Sequence, residues 1–241
     1  MGIGSFGPLC LDPAAPNYGS ITSTPKPGWG NYPLLQALTE GRNLPAAMDT
    51  DVNAAVLAEI AMGAAKGCDN AVYITVGTGI GGGVAIHGKA VHGLVHPEVG
   101  HMLLSIHPDD PLKRGVCPYH TCCAEGLAAG PALGKRAGQD ARNLPDDHPV
   151  FQLEAYYLAQ LCVNLIMTLS PERIILGGGV LARDCLLPMV RKQTLELLGG
   201  YVQHPAIQSG LESLIVKPAL FPISGLAGAY LLGKEALEGR K

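Results

Sequence analysis

The chain has 241 residues, 47% of them hydrophobic and 15% charged, with a formal net charge of -3. That length and apolar share suffice to bury a full core, as one unit or as two lobes around a cleft, and they exclude a disordered chain. No basic block is present to steer a polyanion, which argues against nucleic acid and anionic membrane as partners and for a small ligand. No apolar stretch of about 18 residues stands out, and Met1 leads into Gly-Ile-Gly-Ser instead of a basic and then apolar leader, so a cytoplasmic location is expected.

In chain order, Gly2 to Pro33 is turn-rich and reads as loops around one short strand. Residues 46–48 read as a short strand and 52–64 as a helix, with Asp51 at its N-cap and small residues that permit close packing. A strand is expected at 71–76, a glycine turn at 77–83, a return strand at 84–87 and a hairpin turn at Gly88-Lys89. Helical patterns occupy about 125–137 and 150–169. Arg173 to Leu176 reads as a strand running into Gly177-Gly178-Gly179 and a helix at 181–198. The last helix, about 225–237, follows Ser224, a natural cap. The sum is a mixed α/β fold, in which 32 glycines and 19 prolines fall between apolar runs and so mark turns and close backbone approaches.

Gly77-Thr78-Gly79-Ile80-Gly81-Gly82 fits G-x-G-x-x-G after a strand, with Glu98 near the offset of a ribose-binding carboxylate. A dinucleotide fingerprint needs a helix directly after the glycines, whereas Gly83 to Lys89 has hairpin chemistry, so a Rossmann site is rejected. Bare backbone N–H groups and the Thr78 hydroxyl can still clamp a nucleotide phosphate; a plain tight turn is the alternative. Gly177-Gly178-Gly179, between strand and helix, can admit a flat base or ribose, or can serve only as a structural turn.

Seven cysteines, three of them within 117–123, favour a metal over a disulfide framework. Cys117, His120 and Cys123 follow a C-x2-H-x2-C spacing, and His101 is the nearest fourth ligand for tetrahedral zinc; Cys122 is the alternative to Cys123. Asp51 is either a helix cap or a catalyst. Glu98, His101 and Glu125 add carboxylates and an imidazole close to the metal loop, of the type that orients a polyol and takes a proton from an attacking hydroxyl. A lone surface carboxylate is the alternative for each.

Together these segments resemble the ROK family (repressors, open reading frames, kinases) and, within it, the bacterial fructokinases. The resemblance runs through Gly2-Ile-Gly-Ser-Phe-Gly-Pro8, Thr24-Pro-Lys-Pro-Gly-Trp29, Thr50-Asp-Val-Asn-Ala-Ala55, Gly77-Thr-Gly-Ile-Gly81, His96-Pro-Glu-Val-Gly-His101, Cys117-Pro-Tyr-His120, Glu125-Gly126, Gly130-Pro131 and Gly177-Gly-Gly-Val180. It implies an actin-like (RNase H-like), two-lobed ATPase fold with an interlobe cleft. The small lobe would comprise 1–70 joined by the C-terminal helix 225–241, and the large lobe 71–224. It implies ATP-dependent phosphorylation of a hexose, D-fructose before mannose or glucose, with Mg2+ accompanying ATP.

By the same resemblance Asp51 is the base that activates the sugar hydroxyl, and Gly7, Pro8, Asn53, Glu98, His101 and Glu125 bind the sugar. Thr78, Gly79, Pro131, Gly177, Gly178 and Gly179 line the nucleotide side, and His101, Cys117, His120 and Cys123 hold a structural zinc. A homodimer is expected. Thr50 stands where many ROK kinases have Asn, which matches the fructokinase-like members. An Asp-x-Gly-Gly-Thr-Lys-like phosphate loop, with which family members begin, does not occur in these 241 residues. The first phosphate-loop strands are therefore expected to be missing, with a sugar-binding remnant as the competing function; a ROK regulator would carry a basic helix-turn-helix ahead of the sugar domain.

Overall fold

The computed structural model describes residues 1–239. In chain order the elements are β1 (Gly2–Ser5), α1 (Leu34–Thr39), β2 (Ala47–Thr50), α2 (Asp51–Met62), β3 (Ala71–Val76), β4 (Ile80–Ile86), β5 (Lys89–Ala90), α3 (Ala124–Ala128), α4 (Gly130–Ala137), α5 (Val150–Leu169), β6 (Arg173–Gly177), α6 (Leu186–Leu198), α7 (Pro205–Gln208), β7 (Ile215–Val216) and α8 (Ser224–Glu238). They group into two compact units. The first comprises residues 1–73, 83–97 and the stretch from Ala219 on; the second comprises 74–82 and 98–218. A five-stranded sheet has the order β5-β4-β3-β6-β7, and the division between units falls inside β3 and β4.

In the first unit β1 and β2 pair in parallel, in a register that runs from Gly2↔Ala47 to Ser5↔Thr50. Ile3, Leu9, Ile21 and Met48 form the small core on this pair. α2 starts where β2 ends. Its N-cap is Thr50, not Asp51: Thr50 is extended, and its Oγ1 accepts from Asn53 N at 3.0 Å, while Asp51 is already the first helical residue. The helix ends at Met62, two residues earlier than the sequence suggests, and Gly63 N closes its last turn onto Glu59 O.

α8 packs on α2 and β1 at backbone distance. A Cβ on Gly228 would sit 1.8 Å from Ala54 O, and one on Gly2 would sit 1.7 Å from Ala229 O. Ser224 is likewise not a cap. It is the first residue of α8, and its Oγ donates to Glu59 Oε1 at 2.8 Å. The hairpin turn between β4 and β5 is His87-Gly88, with Ile86 paired to Lys89; φ is +52° and +71° at the two turn residues, the signature of the turn that matches strand twist.

The second unit is built on α5, which buries Phe151, Leu158, Leu161, Cys162 and Leu165 and packs on α6 and α3. By length and composition α5 could cross a membrane, contrary to the expectation that no stretch would qualify, yet most of it is buried inside the protein as a core helix. The helix anticipated at 125–137 is two helices. Ala129 is extended, Gly130 N donates to Gly77 O at 2.8 Å, and Pro131 opens the second helix, where its missing N–H costs nothing. The helix anticipated at 181–198 is a short 3-10 turn, Val180–Ala182, followed by α6 from Leu186, because Arg183 is extended.

Glu59, fully buried on α2, is the polar centre of the first unit: its carboxylate accepts from Ala64 N (2.7 Å), Ala219 N (3.1 Å), Leu220 N (3.0 Å) and Ser224 Oγ. Glu59→Ala strands three backbone donors and should destabilise the chain by about 3 kcal/mol or more, read as a lowered urea midpoint at unchanged slope.

Candidate functional site

A cavity of about 950 Å3 in the second unit is lined by Gly77, Thr78, Gly130, Pro131, Leu133, Gly134, Asp140, Ala141, Arg142, Gly179, Val180, Ala182 and Arg183. Its size suits a small-molecule ligand. The glycine turn after β3 closes through Gly77 N to Gly79 O at 2.9 Å, and Gly77 O receives Gly130 N, so the start of α4 is docked on the turn. At the end of β6, Gly178 has φ +90°, and a Cβ there would meet Val76 O at 2.4 Å; only glycine lets the two strand ends lie this close. The opposite wall is held by Arg183, which pairs with Asp146 at 2.5 Å and donates to Ala141 O at 2.8 Å and Arg142 O at 3.2 Å. On the exposed rim, hydrogen bonds from Arg142 hold the Asp140 carboxyl down at about 2.

Of the nucleotide residues anticipated from sequence, Thr78, Pro131 and Gly179 line this cavity, whereas Gly79, Gly177 and Gly178 do not. Gly79 faces Glu125 instead: a Cβ would sit 2.5 Å from Glu125 Oε2, and the same oxygen accepts from Ile80 N at 3.0 Å. Gly177 is buried within β6.

In the same unit His101, Cys117, His120 and Cys123 come together, one donor atom from each lying within 4.8 Å of all the others. Cys117 Sγ is 3.7 Å from His120 Nδ1 and 4.0 Å from His101 Nδ1. A tetrahedral zinc with bonds of about 2.3 Å to sulfur and 2.0–2.1 Å to nitrogen puts neighbouring S and N ligands roughly 3.5 Å apart, so the donor set and its spacing fit that ion. Cys122 stands outside the cluster. Burial pushes the Cys123 thiol up to about 11, and the neighbouring Cys117 sulfur adds to the effect. Cys123 also caps α3, accepting from Gly126 N at 3.3 Å, which places Glu125 in the first turn of that helix. Glu98 lies exposed at the head of the 3-10 turn that carries His101, and its carbonyl accepts from His101 N at 2.9 Å.

In the first unit Asp51 is solvent-accessible, and its Oδ1 accepts from Val52 N at 2.9 Å. Enclosure by protein raises its carboxyl above the usual range, against the opposing pull of the Val52 N–H and the Lys26 charge. Asn53 is buried and donates to Asp49 Oδ1 at 2.8 Å; its Oδ1 has no partner among the described residues. Asp49, which no sequence motif singles out, also accepts from Thr50 N at 2.7 Å and lies 3.0 Å from His92 Nε2. Gly7 and Pro8 belong to a loop tied down by His96, whose Nε2 accepts from Leu9 N at 3.0 Å. Burial lowers the pKa of His96, in keeping with a neutral ring that accepts at this nitrogen.

A sequence-family model described as ROK family matches residues 1–236. The chain belongs to the ROK family. It is similar to the fructokinase of Pediococcus pentosaceus, at 45% identity over 99% of this chain and 81% of that protein, and to the fructokinase of Zymomonas mobilis, at 46% identity over 98% and 78%. Among solved structures it resembles a ROK hexokinase from Thermus thermophilus, with a TM-score of 0.79 and 27% identity over 99% of this chain and 79% of that one. A ROK glucokinase from Streptomyces griseus, solved with glucose and AMPPNP, gives a TM-score of 0.71 at 25% identity over 97% and 81%. The fold is thus the actin-like ATPase fold of ROK kinases.

In this ROK protein the loop between His101 and Cys117 is braced by charges that no local motif announces. Asp110, fully buried, accepts from Arg136 Nε at 3.1 and 2.9 Å and from Tyr157 Oη at 2.5 Å. Arg136 sits on α4, whose first turn lines the cavity. Deeper still, neither carboxylate oxygen of Glu154 has a partner among the described residues, and burial pushes its carboxyl up to about 8, the charge on Arg136 opposing. Between its ordinary value of 4.5 and about 8 the native chain holds a proton here that the unfolded chain has released, so stability falls as pH rises through that window. Denaturant unfolding from pH 5 to 8 should show this slope, at most about 1.4 kcal/mol per pH unit, and Glu154→Gln should flatten it.

Proposed function

We propose that this chain is an ATP-dependent fructokinase that converts D-fructose to fructose 6-phosphate. The observation that carries the proposal is similarity at 45% and 46% identity, over nearly the whole chain, to two fructokinases. The residues supply suitable chemistry. In phosphoryl transfer the sugar oxygen forms a bond to the γ-phosphorus, the bond from that phosphorus to ADP breaks, and the hydroxyl proton passes to a base. Asp51 is that base. A carboxyl held above the usual range is a better proton acceptor than an ordinary one.

Gly7, Pro8, Asn53, Glu98, His101 and Glu125 are assigned to the sugar, as the family resemblance implies. Two of them have a free face for it. Glu125 spends Oε2 on Ile80 N and keeps Oε1, and His101 turns Nδ1 toward Cys117 and keeps Nε2. Thr78, Pro131 and Gly179, on the cavity wall, are assigned to the nucleotide, with Gly79, Gly177 and Gly178 shaping the turns behind them. His101, Cys117, His120 and Cys123 would hold a structural zinc, which ties the loop together and supplies folding free energy. Mg2+ enters with ATP. Family resemblance further supports a homodimer acting in the cytoplasm, and the net charge of -3 with no basic block argues against a nucleic-acid or anionic-membrane partner.

Asp51→Asn keeps the Oδ1 acceptor for Val52 N and should leave thermal stability unchanged, while kcat for fructose-dependent ADP release falls by about two to four orders of magnitude. In the unsubstituted chain, kcat should fall with decreasing pH through a value above the ordinary carboxylate range, where Asp51 becomes protonated. A turnover near that of the unsubstituted chain in Asp51→Asn would reduce Asp51 to a helix-start residue.

For the metal, elemental analysis of protein purified without added zinc should give close to one equivalent per chain. Cys122→Ser should keep it and Cys123→Ser should lose it. The reverse pattern would exchange the ligand assignment.

A further inference from the structure

The segment Thr24 to Trp29 is exposed for most of its length, yet it is locally rigid. Lys26-Pro27-Gly28-Trp29 closes as a type II turn: Trp29 N donates to Lys26 O at 3.3 Å, Pro27 takes the second position, and Gly28 supplies the φ of +82° that the third demands. At the turn entrance Lys26 N donates to Thr24 Oγ1 at 3.3 Å, and on the far side Asn31 N donates to Thr22 O at 3.0 Å. Both ends of the turn meet on one ring. Lys26 Nζ lies 3.4 Å from the centroid of Phe6, and Trp29 packs edge-to-face on the same ring at 5.5 Å, with Tyr32 edge-on behind it at 5.3 Å. A cation over an aromatic face is held by the ring quadrupole, so the long lysine side chain is fixed at its tip as well as at its base.

Phe6 follows the last residue of β1, Asp51 follows the last residue of β2, and the register pairs those last residues, Ser5 with Thr50. Neighbouring strands lie about 4.8 Å apart, so Phe6 and Asp51 leave the sheet side by side at the same end. We propose that Lys26 is a positioning residue for the Asp51 base, its ammonium held on the Phe6 ring beside the carboxylate by the Lys26 to Trp29 turn. The proposal rests on the kinase reading above and extends it to a loop with no assigned role. The charge of Lys26 does act on Asp51, where it favours the carboxylate over the acid. The other groups facing that carboxyl are few. Tyr73 on β3 interacts with it electrostatically, Asp49 on β2 is engaged by His92, and the first turn of α8 brings no acidic side chain. Lys26 thus adds to the Val52 N–H in keeping the base ionised further into acid against the effect of burial, and it screens the negative charge gathered where the hydroxyl gives up its proton.

The test uses the whole chain with Lys26→Met, Lys26→Arg and Phe6→Leu, and two readouts. The first is turnover of fructose and ATP across pH. Lys26→Met should lower kcat about tenfold and move its acid limb upward while KM for fructose stays within about twofold. Lys26→Arg should recover most of the loss, and Phe6→Leu, which keeps the charge but removes its platform, should fall between. The second is the carboxyl 13C titration of Asp51, assigned with Asp51→Asn, which needs no turnover. In Lys26→Met it should move up by a few tenths of a pH unit, the scale of an exposed charge pair. An unmoved titration, or a loss confined to KM for ATP, overturns the proposal. A moved titration in a chain that turns over no fructose overturns the kinase reading and leaves the Lys26 to Asp51 coupling standing.

Discussion

The structure depends most on backbone approaching backbone where no side chain could fit. A Cβ on Gly83 would lie 2.0 Å from Val52 O, one on Gly228 would lie 1.8 Å from Ala54 O, and one on Gly100 would lie 1.9 Å from Ile80 O. Clashes of that depth cannot be relieved by a rotamer change, because the opposing atoms are main chain. Each contact also fixes a candidate residue. Gly83 and Gly228 press on the first turns of α2, which begins at Asp51, and Gly100 seats the short turn carrying His101 against the strand that follows the glycine turn. With only 15% charged residues the chain has few polar devices for positioning, and close packing of small residues does that work.

Five buried or half-buried ionisable side chains divide into two kinds. Glu59, Asp49 and Asp110 are saturated by backbone, hydroxyl, amide or guanidinium donors and so fix geometry. Glu125 and His101 are only half engaged by protein, each with one atom committed to the scaffold. That difference separates candidates for ligand contact from scaffold more sharply than residue type does, since all of these but His101 are carboxylates.

Local signals carried much of this into the sequence. The strands at 71–76 and 173–176 were legible as short, mostly apolar runs ended by glycine, and the helix at 150–169 as a long apolar-rich stretch ended by Ser170. The cluster of His101, Cys117, His120 and Cys123 was legible because three of the four lie within seven residues of chain. Caps were misjudged by one residue at both Thr50 and Ser224, since Thr-Asp and Ile-Ser leave the start of helical backbone ambiguous. The break at Ala129 was illegible because a partner from outside the segment, Gly77 O, captures the N–H of Gly130. Asp110 with Arg136, and Arg183 with Asp146, are pairs 26 and 37 residues apart, and no local pattern marks them. The cavity wall they support was therefore the least readable part of the site.

Cys123 shows how one residue can serve both levels. Its neighbours are pinned by main-chain bonds that owe nothing to a metal: Leu104 N to Cys122 O at 2.8 Å and Ala124 N to Met102 O at 2.9 Å, with Leu103 bridging Cys123 itself. Its sulfur caps α3, the helix that presents Glu125 to Ile80 N. Cys123 and the Glu125 carboxylate are thus parts of one rigid corner, two residues apart. Anything that displaces the Cys123 sulfur tilts the start of α3 and reaches Glu125 through a single turn of helix, before any larger movement of the unit is needed.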